Sequence, residues 1–282
     1  MTIRNLPKAE VSARPGAYPG ISPKALDRWN PDVRAAASDE EPATISILDV
    51  IGEDWWTGEG VTAKRIGGAL RAIGKRDVVV SINSPGGDYF EGLAIYEMLR
   101  QHEARVTVRI LGLAASAASV IAMAGDDVQI ARSGFLMIHN TWVMAAGDRN
   151  ALREVADWLE PFDNAAVDIY AARSGLDTGE LAKMLDKETW ISGREAVDLG
   201  FADEILEPAQ IDGTAKASGA TATLRAERKF DILAAKAGMK RKEGRELLAA
   251  LKGGTPGAAS TGMQDAAVIA EVRDLLNRVK TI

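Results

Sequence analysis

Residues 106–124 read VTVRILGLAASAASVIAMA, and their hydrophobic pattern changes midway. Val106, Val108 and Ile110 alternate with polar residues, which is typical of a half-buried strand. We expect Gly112 to end that strand and the small, apolar residues 114–124 to form a buried helix. Ser116 then lies where a strand gives way to a helix N-terminus, whose unpaired N–H groups can stabilise negative charge.

Two interpretations of Ser116 follow from this position. Serine before a helix is an ordinary N-cap residue, and its oxygen then accepts a backbone N–H of the first turn. A serine hydrolase also keeps its nucleophile beside backbone donors that hold a developing oxyanion. The case for a catalytic Ser116 therefore depends on the rest of the chain, whereas we expect Ser119 only to pack within the helix.

Composition narrows the classes of function. The chain has 282 residues, of which 46% are hydrophobic and 26% charged, as in a soluble globular protein. The net charge of −6 does not favour nucleic-acid binding, and the absence of cysteine excludes disulfides, thiol nucleophiles and cysteine-bound zinc. The N-terminus has no signal-peptide pattern, and no stretch is long enough to span a membrane. We expect a cytoplasmic protein with no metal ion and no cofactor.

The chain order predicts three regions. Residues 1–43 are expected to form an irregular arm, because six prolines interrupt any periodicity. Residues 44–207 alternate strands with helices, which predicts an α/β domain with a mainly parallel sheet. The predicted helices include one over 148–173 with an apolar stripe, and residues 187–192 are predicted to be extended. Residues 208–282 form a linker followed by a basic tail that ends in an amphipathic helix over 266–279.

Two further motifs bear on the chemistry. Residues 84–88, SPGGD, form a glycine-rich turn that lets the backbone approach a ligand closely. His139 ends the apolar strand GFLMIH, whereas His102 lies in the charged segment RQHEAR. A histidine at a strand end is commonly structural, but if the chain contains a Ser–His pair, His139 is the better candidate for the base.

Four segments in order resemble the ClpP family of serine peptidases. They are INSPGGD at 82–88, LGLAASAAS at 111–119, FLMIHNTW at 135–142 and TWISGREAVDLGFADEI at 189–205. The resemblance covers residues 44–207 and is closer to the ClpP-related head maturation proteases of tailed phages and prophages. It implies a crotonase-like spiral of ββα units with a helical C-terminal extension. It also implies a ring-shaped homo-oligomer assembled through the long helix.

The same resemblance implies roles for individual residues. Ser116 matches the nucleophile, His139 the base, and Gly87 and Ala117 the backbone donors of the oxyanion hole. Where the family has an aspartate as the third member, this chain has Glu188. The implied substrates are capsid or scaffold proteins, whereas a general ClpP-like subunit would work with an unfolding ATPase.

The identity of the orienting acid stays open between Glu188 and Asp186. If residues 186–190 are extended, both acids lie on one face with Trp190, so the pattern alone does not choose between them. The motif position favours Glu188. Its alternative role is that of a surface acid paired with Lys187 or Arg194, which contributes little free energy.

Three other functions remain open. A crotonase-type acyl-CoA enzyme would share the fold and the glycine-rich oxyanion loops, but would not need the pair Ser116 and His139. A signal-peptide-peptidase-like enzyme would use serine with lysine and generally needs a membrane anchor. A non-enzymatic assembly protein with a decayed site is the third, and the presence of both residues weighs against it.

Overall fold

The computed structural model describes residues 17–19, 21–31, 33–35, 42–53, 60–207, 211–212 and single positions between 226 and 248. The chain divides into two compact units, residues 1–53 with 60–221 and residues 54–59 with 222–282. The described positions of the second unit are helical except 239. The amphipathic helix predicted over 266–279 lies outside the described residues, so the predicted division into arm, domain and tail stays a prediction at that end.

The first unit contains strands and helices in alternation. The strands are β1 (Ala17–Pro19), β2 (Arg34–Ala35), β3 (Ala43–Ile47), β4 (Gly52–Glu53), β5 (Gly60–Val61), β6 (Val78–Ser84), β7 (Val106–Ala115), β8 (Asp127–Ala131), β9 (Phe135–Ile138), β10 (Val143–Ala145), β11 (Thr189–Ser192), β12 (Glu204–Leu206) and β13 (Ile211–Asp212). The helices are α1 (Pro23–Arg28), α2 (Ala63–Ile73), α3 (Tyr89–Arg100), α4 (Ala117–Ala122), α5 (Arg149–Ser174), α6 (Thr178–Asp186) and α7 (Gly193–Asp198).

A seven-stranded, mostly parallel sheet forms the centre of this unit. Five strands follow the order β11-β9-β7-β6-β3, while β8 pairs with β7 and carries β12 on its other side. Among the described strand pairs of this sheet, only β11–β9 is antiparallel. All seven residues of β6 are buried, as expected of a strand covered on both faces. The predicted α/β fold with a mainly parallel sheet is confirmed.

The central strand β7 is longer than predicted. Gly112 does not end it, because the strand continues to Ala115 and its last residues pair with β9 through Leu113, Ala114 and Ala115. Its first half pairs with β8 instead, so two strands share one long edge. The change of period that we interpreted as a helix reflects burial on both faces of a strand, and α4 is confined to residues 117–122.

The N-terminal arm is not irregular throughout. Ser22 caps α1 and Pro23 stands at its first turn, where its missing N–H removes no helical hydrogen bond. Ala25, Leu26 and Trp29 are fully buried. The Trp29 indole donates to the backbone oxygen of Asn83 at 2.8 Å, which ties this segment to β6. The prediction was wrong here because proline content does not show where apolar side chains find a partner.

The long helix α5 has two different halves. Its C-terminal half packs on the core through Ala166, Val167 and Tyr170. Its N-terminal half projects most of its side chains into solvent, and Leu152 is 45% exposed. Pro161 lies inside the helix without ending it.

Candidate active site

Ser116 occupies a sharp turn between β7 and α4. Its backbone has φ 54° and ψ −126°, which is a left-handed conformation that disfavours residues with a Cβ atom. Its N–H donates to the Met137 oxygen at 2.8 Å, and its own oxygen accepts the Ser119 N–H at 2.9 Å. The Ser116 side chain makes no capping hydrogen bond to α4. The N-cap interpretation therefore does not account for its hydroxyl.

The Ser116 hydroxyl is paired with His139 instead. The Oγ atom lies 2.8 Å from Nε2 of His139, which is the residue directly after β9. Burial lowers the pKa of His139, while the negative charge of Glu188 acts in the opposite direction. A neutral imidazole can accept the serine proton at Nε2, so the pair has the geometry of a nucleophile and its base.

The turn at 84–88 packs directly against Ser116. Gly86 has φ +87°, and a Cβ atom there would lie 2.5 Å from the Ala115 oxygen and 2.7 Å from the Ser116 Cβ. Ile51 holds this turn from the other side. Its N–H donates to the Gly86 oxygen at 2.9 Å, and its oxygen accepts from the Asp88 N–H at 3.0 Å. Only glycine fits at position 86, and the fit brings the loop backbone to the hydroxyl–imidazole pair.

Two backbone donors border this pair. Ala117 is the first residue of α4, and Gly87 lines the same pocket as Ser116 and His139. Among the described residues, no acceptor is bonded to the N–H of Gly87 or to that of Ala117. Unpaired N–H groups beside a nucleophile are suited to stabilise an oxyanion.

The pocket itself is small. It has a volume of about 20 Å³, and its apolar side includes Tyr89, Phe90, Val120 and Ala166. That volume corresponds to about one water molecule. The side chains around the pair therefore leave little enclosed space beside the Ser116 hydroxyl.

The two candidate acids occupy different positions. Asp186 is the last residue of α6. Glu188 lies two residues later, has φ +51°, and directly precedes Thr189, the first residue of β11. The prediction that residues 187–192 are extended is therefore wrong for 187–188, and the two acids do not share the face of a strand. A helix end followed by a left-handed residue has no period of two, which is the periodicity that we assumed.

Their partners differ as well. Asp186 accepts a hydrogen bond from the Asn140 amide at 2.8 Å. Glu188 accepts from the Trp190 indole at 3.4 Å and forms an ion pair with Lys24 at 3.1 Å. Among the described residues, no hydrogen bond joins either acid to His139. Of the two acids, only Glu188 raises the pKa of His139 through its negative charge. The alternative role of Glu188, a surface acid paired with Lys187 or Arg194, named other partners, since the ion pair that Glu188 forms is with Lys24 and Arg194 pairs with Asp198.

Sequence reasoning missed two residues around this site. Lys24 comes from the arm that we expected to be irregular, and no local pattern connects it with Glu188. Asp163 of α5 accepts the Thr141 N–H at 2.5 Å and so holds the segment that follows His139. The sequence feature that could have identified Asp163 is an acidic residue beside Phe162, within the apolar stripe of α5.

His102 is outside the site, where its Nε2 lies 2.8 Å from the Arg76 oxygen. The described part of the chain contains no group of three or more acidic or histidine side chains that could hold a metal ion. No described helix is both long and apolar enough to cross a membrane.

Comparison with known proteins gives a consistent family. The family model described as Clp protease matches residues 68–209. Over 135 residues the chain is 32% identical to the ATP-dependent Clp protease proteolytic subunit 3 of Rhodococcus jostii and 31% identical to the proteolytic subunit of Ligilactobacillus salivarius. Subunit 1 of Salinibacter ruber is 27% identical.

These matches cover only part of each protein. They span 47% of this chain, and they span 66%, 68% and 58% of the Rhodococcus, Ligilactobacillus and Salinibacter relatives, respectively. A mutant of ClpP1 from Listeria monocytogenes superimposes with a TM-score of 0.50 over 59% of this chain and 92% of that one. At 24% identity this structure bears on the fold alone. The chain belongs to the Clp protease family.

Proposed function

We propose that this protein is a serine endopeptidase that cleaves peptide bonds through Ser116. The observation that carries the proposal is the 2.8 Å contact between the Ser116 hydroxyl and the His139 imidazole. Backbone strain supports it: among the described residues, Ser116 and Glu188 are the only non-glycine residues with positive φ. Such strain costs about 1–3 kcal/mol and is concentrated at functional sites.

The proposed reaction follows from the arrangement of these groups. Ser116 Oγ attacks the carbonyl carbon of the substrate while His139 Nε2 takes its proton. The N–H groups of Gly87 and Ala117 donate to the oxyanion of the tetrahedral intermediate. His139 then returns the proton to the leaving amine, and a water molecule activated in the same way hydrolyses the acyl-enzyme.

Glu188 is proposed as the acid that supports His139. Its charge favours the imidazolium that forms when the serine proton is transferred. The Trp190 indole donates to its carboxylate, and Lys24 pairs with the same oxygen, Oε1. Asp186 already accepts from Asn140, which favours a structural role for that acid.

Labelling with a fluorophosphonate probe tests the proposed function directly. We expect covalent modification of the full-length protein, with peptide mapping that assigns the phosphonylated residue to Ser116. A peptide substrate and an acyl-CoA thioester, assayed side by side, separate a peptidase from a crotonase-type enzyme. Thioester turnover without peptide hydrolysis or labelling would contradict the proposal.

The pH dependence of kcat/KM should report the ionisation of His139. An imidazolium has no lone pair for the serine proton, so activity is lost as the pH falls through the His139 pKa. Burial lowers that pKa from 6.5, and we therefore expect the acid limb of the profile to have its midpoint below pH 6.5. A midpoint above 6.5 would show that another group controls the reaction.

We propose that the exposed half of α5 contacts another copy of the chain. Leu152 is 45% exposed, and the side chains of Val155 and Leu159 are only half-buried within the chain. Apolar side chains that line one helix face in this way are typical of an interface. The resemblance to ClpP makes a ring the expected form.

Light scattering on variants of the full chain tests this interface. Leu152→Asp places a charge in the proposed contact and should lower the measured mass toward that of one chain at micromolar concentration. Asn164→Asp changes an exposed residue of the same helix and should leave the mass unchanged. A wild-type monomer with full peptidase activity would refute the proposal.

The substrates that we propose are capsid or scaffold proteins processed during phage head assembly. The support is the likeness of the four motifs to head maturation proteases and the basic tail that follows residue 208. The alternative is a general proteolytic subunit that receives unfolded chains from a Clp-type ATPase.

Truncation after Leu206 distinguishes these uses of the tail. We expect the truncated protein to hydrolyse small peptides at the wild-type rate but to process a capsid precursor poorly. The same assays with a Clp-type ATPase and ATP added test the alternative, in which the protein receives unfolded chains from that ATPase. Equal processing of the precursor by both proteins would refute a targeting role of the tail.

A further inference from the structure

A chain of buried hydroxyl groups leads from α5 to the backbone of Ser116. The phenol oxygen of Tyr170 lies 2.8 Å from Ser119 Oγ, and Ser119 Oγ lies 2.6 Å from the Ser116 carbonyl oxygen. Tyr170 is 1% exposed and Ser119 is 0% exposed. A carbonyl oxygen only accepts, so Ser119 donates to Ser116 and Tyr170 must donate to Ser119.

The protonation of Tyr170 is compatible with this direction. Burial raises the pKa of its phenol well above the usual value, so the group keeps its proton at neutral pH. The Ser119 hydroxyl then accepts from Tyr170 and donates to the Ser116 oxygen, so its single proton has one direction. Buried hydrogen bonds linked in this way orient the groups that they join.

The end of the network is the peptide unit between Ser116 and Ala117. The Ser116 carbonyl oxygen accepts from Ser119 Oγ, from the Ser119 N–H at 2.9 Å and from the Val120 N–H at 3.3 Å. In a planar trans peptide the N–H of the next residue points opposite to the carbonyl. Holding the Ser116 oxygen therefore fixes the direction of the Ala117 N–H, which has no acceptor among the described residues.

We propose that Ser119 and Tyr170 are positioning residues for the nucleophile and for the Ala117 oxyanion donor. The inference rests on the proposed peptidase function. The left-handed backbone of Ser116 is strained and needs support from its surroundings, and this network supplies a side-chain hydrogen bond to that backbone. Because the donor acts most strongly on the transition state, a loss of alignment lowers kcat more than it changes KM.

The test uses three variants of the full chain and one control. Ser119→Ala removes the bond to the Ser116 carbonyl, Tyr170→Phe removes only the outer donor, and the double variant removes both. Ser81→Ala is the matched control, because its hydroxyl is equally buried and has no hydrogen-bond partner in the part of the chain that the structure describes. Each protein is assayed for kcat, KM, thermal midpoint and the rate of fluorophosphonate labelling.

We expect Ser119→Ala to lower kcat by ~10- to 100-fold with KM within about twofold, somewhat less than loss of an oxyanion donor. Tyr170→Phe keeps the inner hydrogen bond and should lower kcat by only ~3-fold to 10-fold. The double variant should match Ser119→Ala in kcat, because both residues act through one bond. Labelling rates should fall in parallel, and Ser81→Ala should resemble the wild type.

Stability should follow a different order from activity. Ser119→Ala leaves the buried Tyr170 hydroxyl without its acceptor, so its thermal midpoint should be lowest. The double variant removes that unsatisfied group and should recover part of the midpoint while kcat stays low. A merely structural role predicts that activity and stability recover together.

Other results would overturn the inference. Wild-type kcat and labelling in folded Ser119→Ala, or independent and additive losses in the double variant, would exclude a positioning role. If Ser119→Ala does not fold, the nearly isosteric Tyr170→Phe decides, and wild-type kcat in that variant refutes the role of Tyr170. An unlabelled wild-type protein would refute the proposed function, whereas equal labelling of all variants refutes only the positioning.

Discussion

Replacing Ser116 with alanine is expected to lower kcat by ~10⁴- to 10⁶-fold, the loss seen when the nucleophile of a serine hydrolase is removed. The hydroxyl lies 2.8 Å from His139 Nε2, and no other hydroxyl has such a contact with either histidine among the described residues. Substrate binding and the oxyanion donors remain in the variant, so a small residual rate is expected. Initial rates on a fluorogenic peptide, with the probe-labelling assay beside them, measure the effect.

Two controls make this result specific. Ser116→Ala should fold with a thermal midpoint close to that of the wild type, because the lost hydroxyl makes no capping bond and its hydrogen bond to His139 contributes only about 1 kcal/mol. His102→Ala should have no effect on kcat, since His102 bonds the Arg76 oxygen outside the site. Normal cleavage by Ser116→Ala, or an inactive His102→Ala, would show that the nucleophile–base assignment is wrong.

Replacing Glu188 with glutamine is expected to lower kcat by ~10²- to 10⁴-fold at pH 7, up to the loss known for the orienting acid of a triad. Glutamine keeps the size of the side chain but removes the charge that favours the imidazolium. Since Glu188 raises the pKa of His139, its loss should also move the acid limb of the pH profile to lower pH. Both changes can be read from one set of kcat/KM measurements across pH.

Asp186→Asn is the matched control for this prediction. It also neutralises an acid near the site, but asparagine can still accept the hydrogen bond from Asn140, so we expect a small effect. A large loss in Asp186→Asn together with a small one in Glu188→Gln would transfer the role to Asp186. Two small losses would mean that Ser116 and His139 work as a dyad.

Local patterns were sufficient for most elements of the fold. The apolar run GFLMIH predicted β9, and the apolar stripe predicted a helix over 148–173, which lies within one residue of α5 at both ends. These signals are local because strands and helices bury regular faces of the chain. Strand ends marked Ser116 and His139 as candidates, and the resemblance to the ClpP family implied their roles as nucleophile and base.

The errors came from residues whose environment depends on distant segments. Gly112 was predicted to end β7, yet β9 pairs with residues 113–115 and extends the strand. The arm was predicted to be irregular, yet Trp29 reaches the Asn83 oxygen across 54 positions of the chain. In both cases the two contacting segments are more than a dozen residues apart in the chain. The periodicity of a short window therefore cannot reveal the contact.

Local patterns of the chain were enough for the α/β class and the order of the main elements, and the resemblance of four motifs to ClpP added the pair Ser116 and His139. The left-handed backbone of Ser116, the separate positions of Asp186 and Glu188, and the contacts of Lys24 and Tyr170 depend on how the whole unit packs. Hydrophobic periodicity reports which face of an element is buried. It does not report which side chain from another element fills the facing space, because that contact is set by the packing of the whole unit.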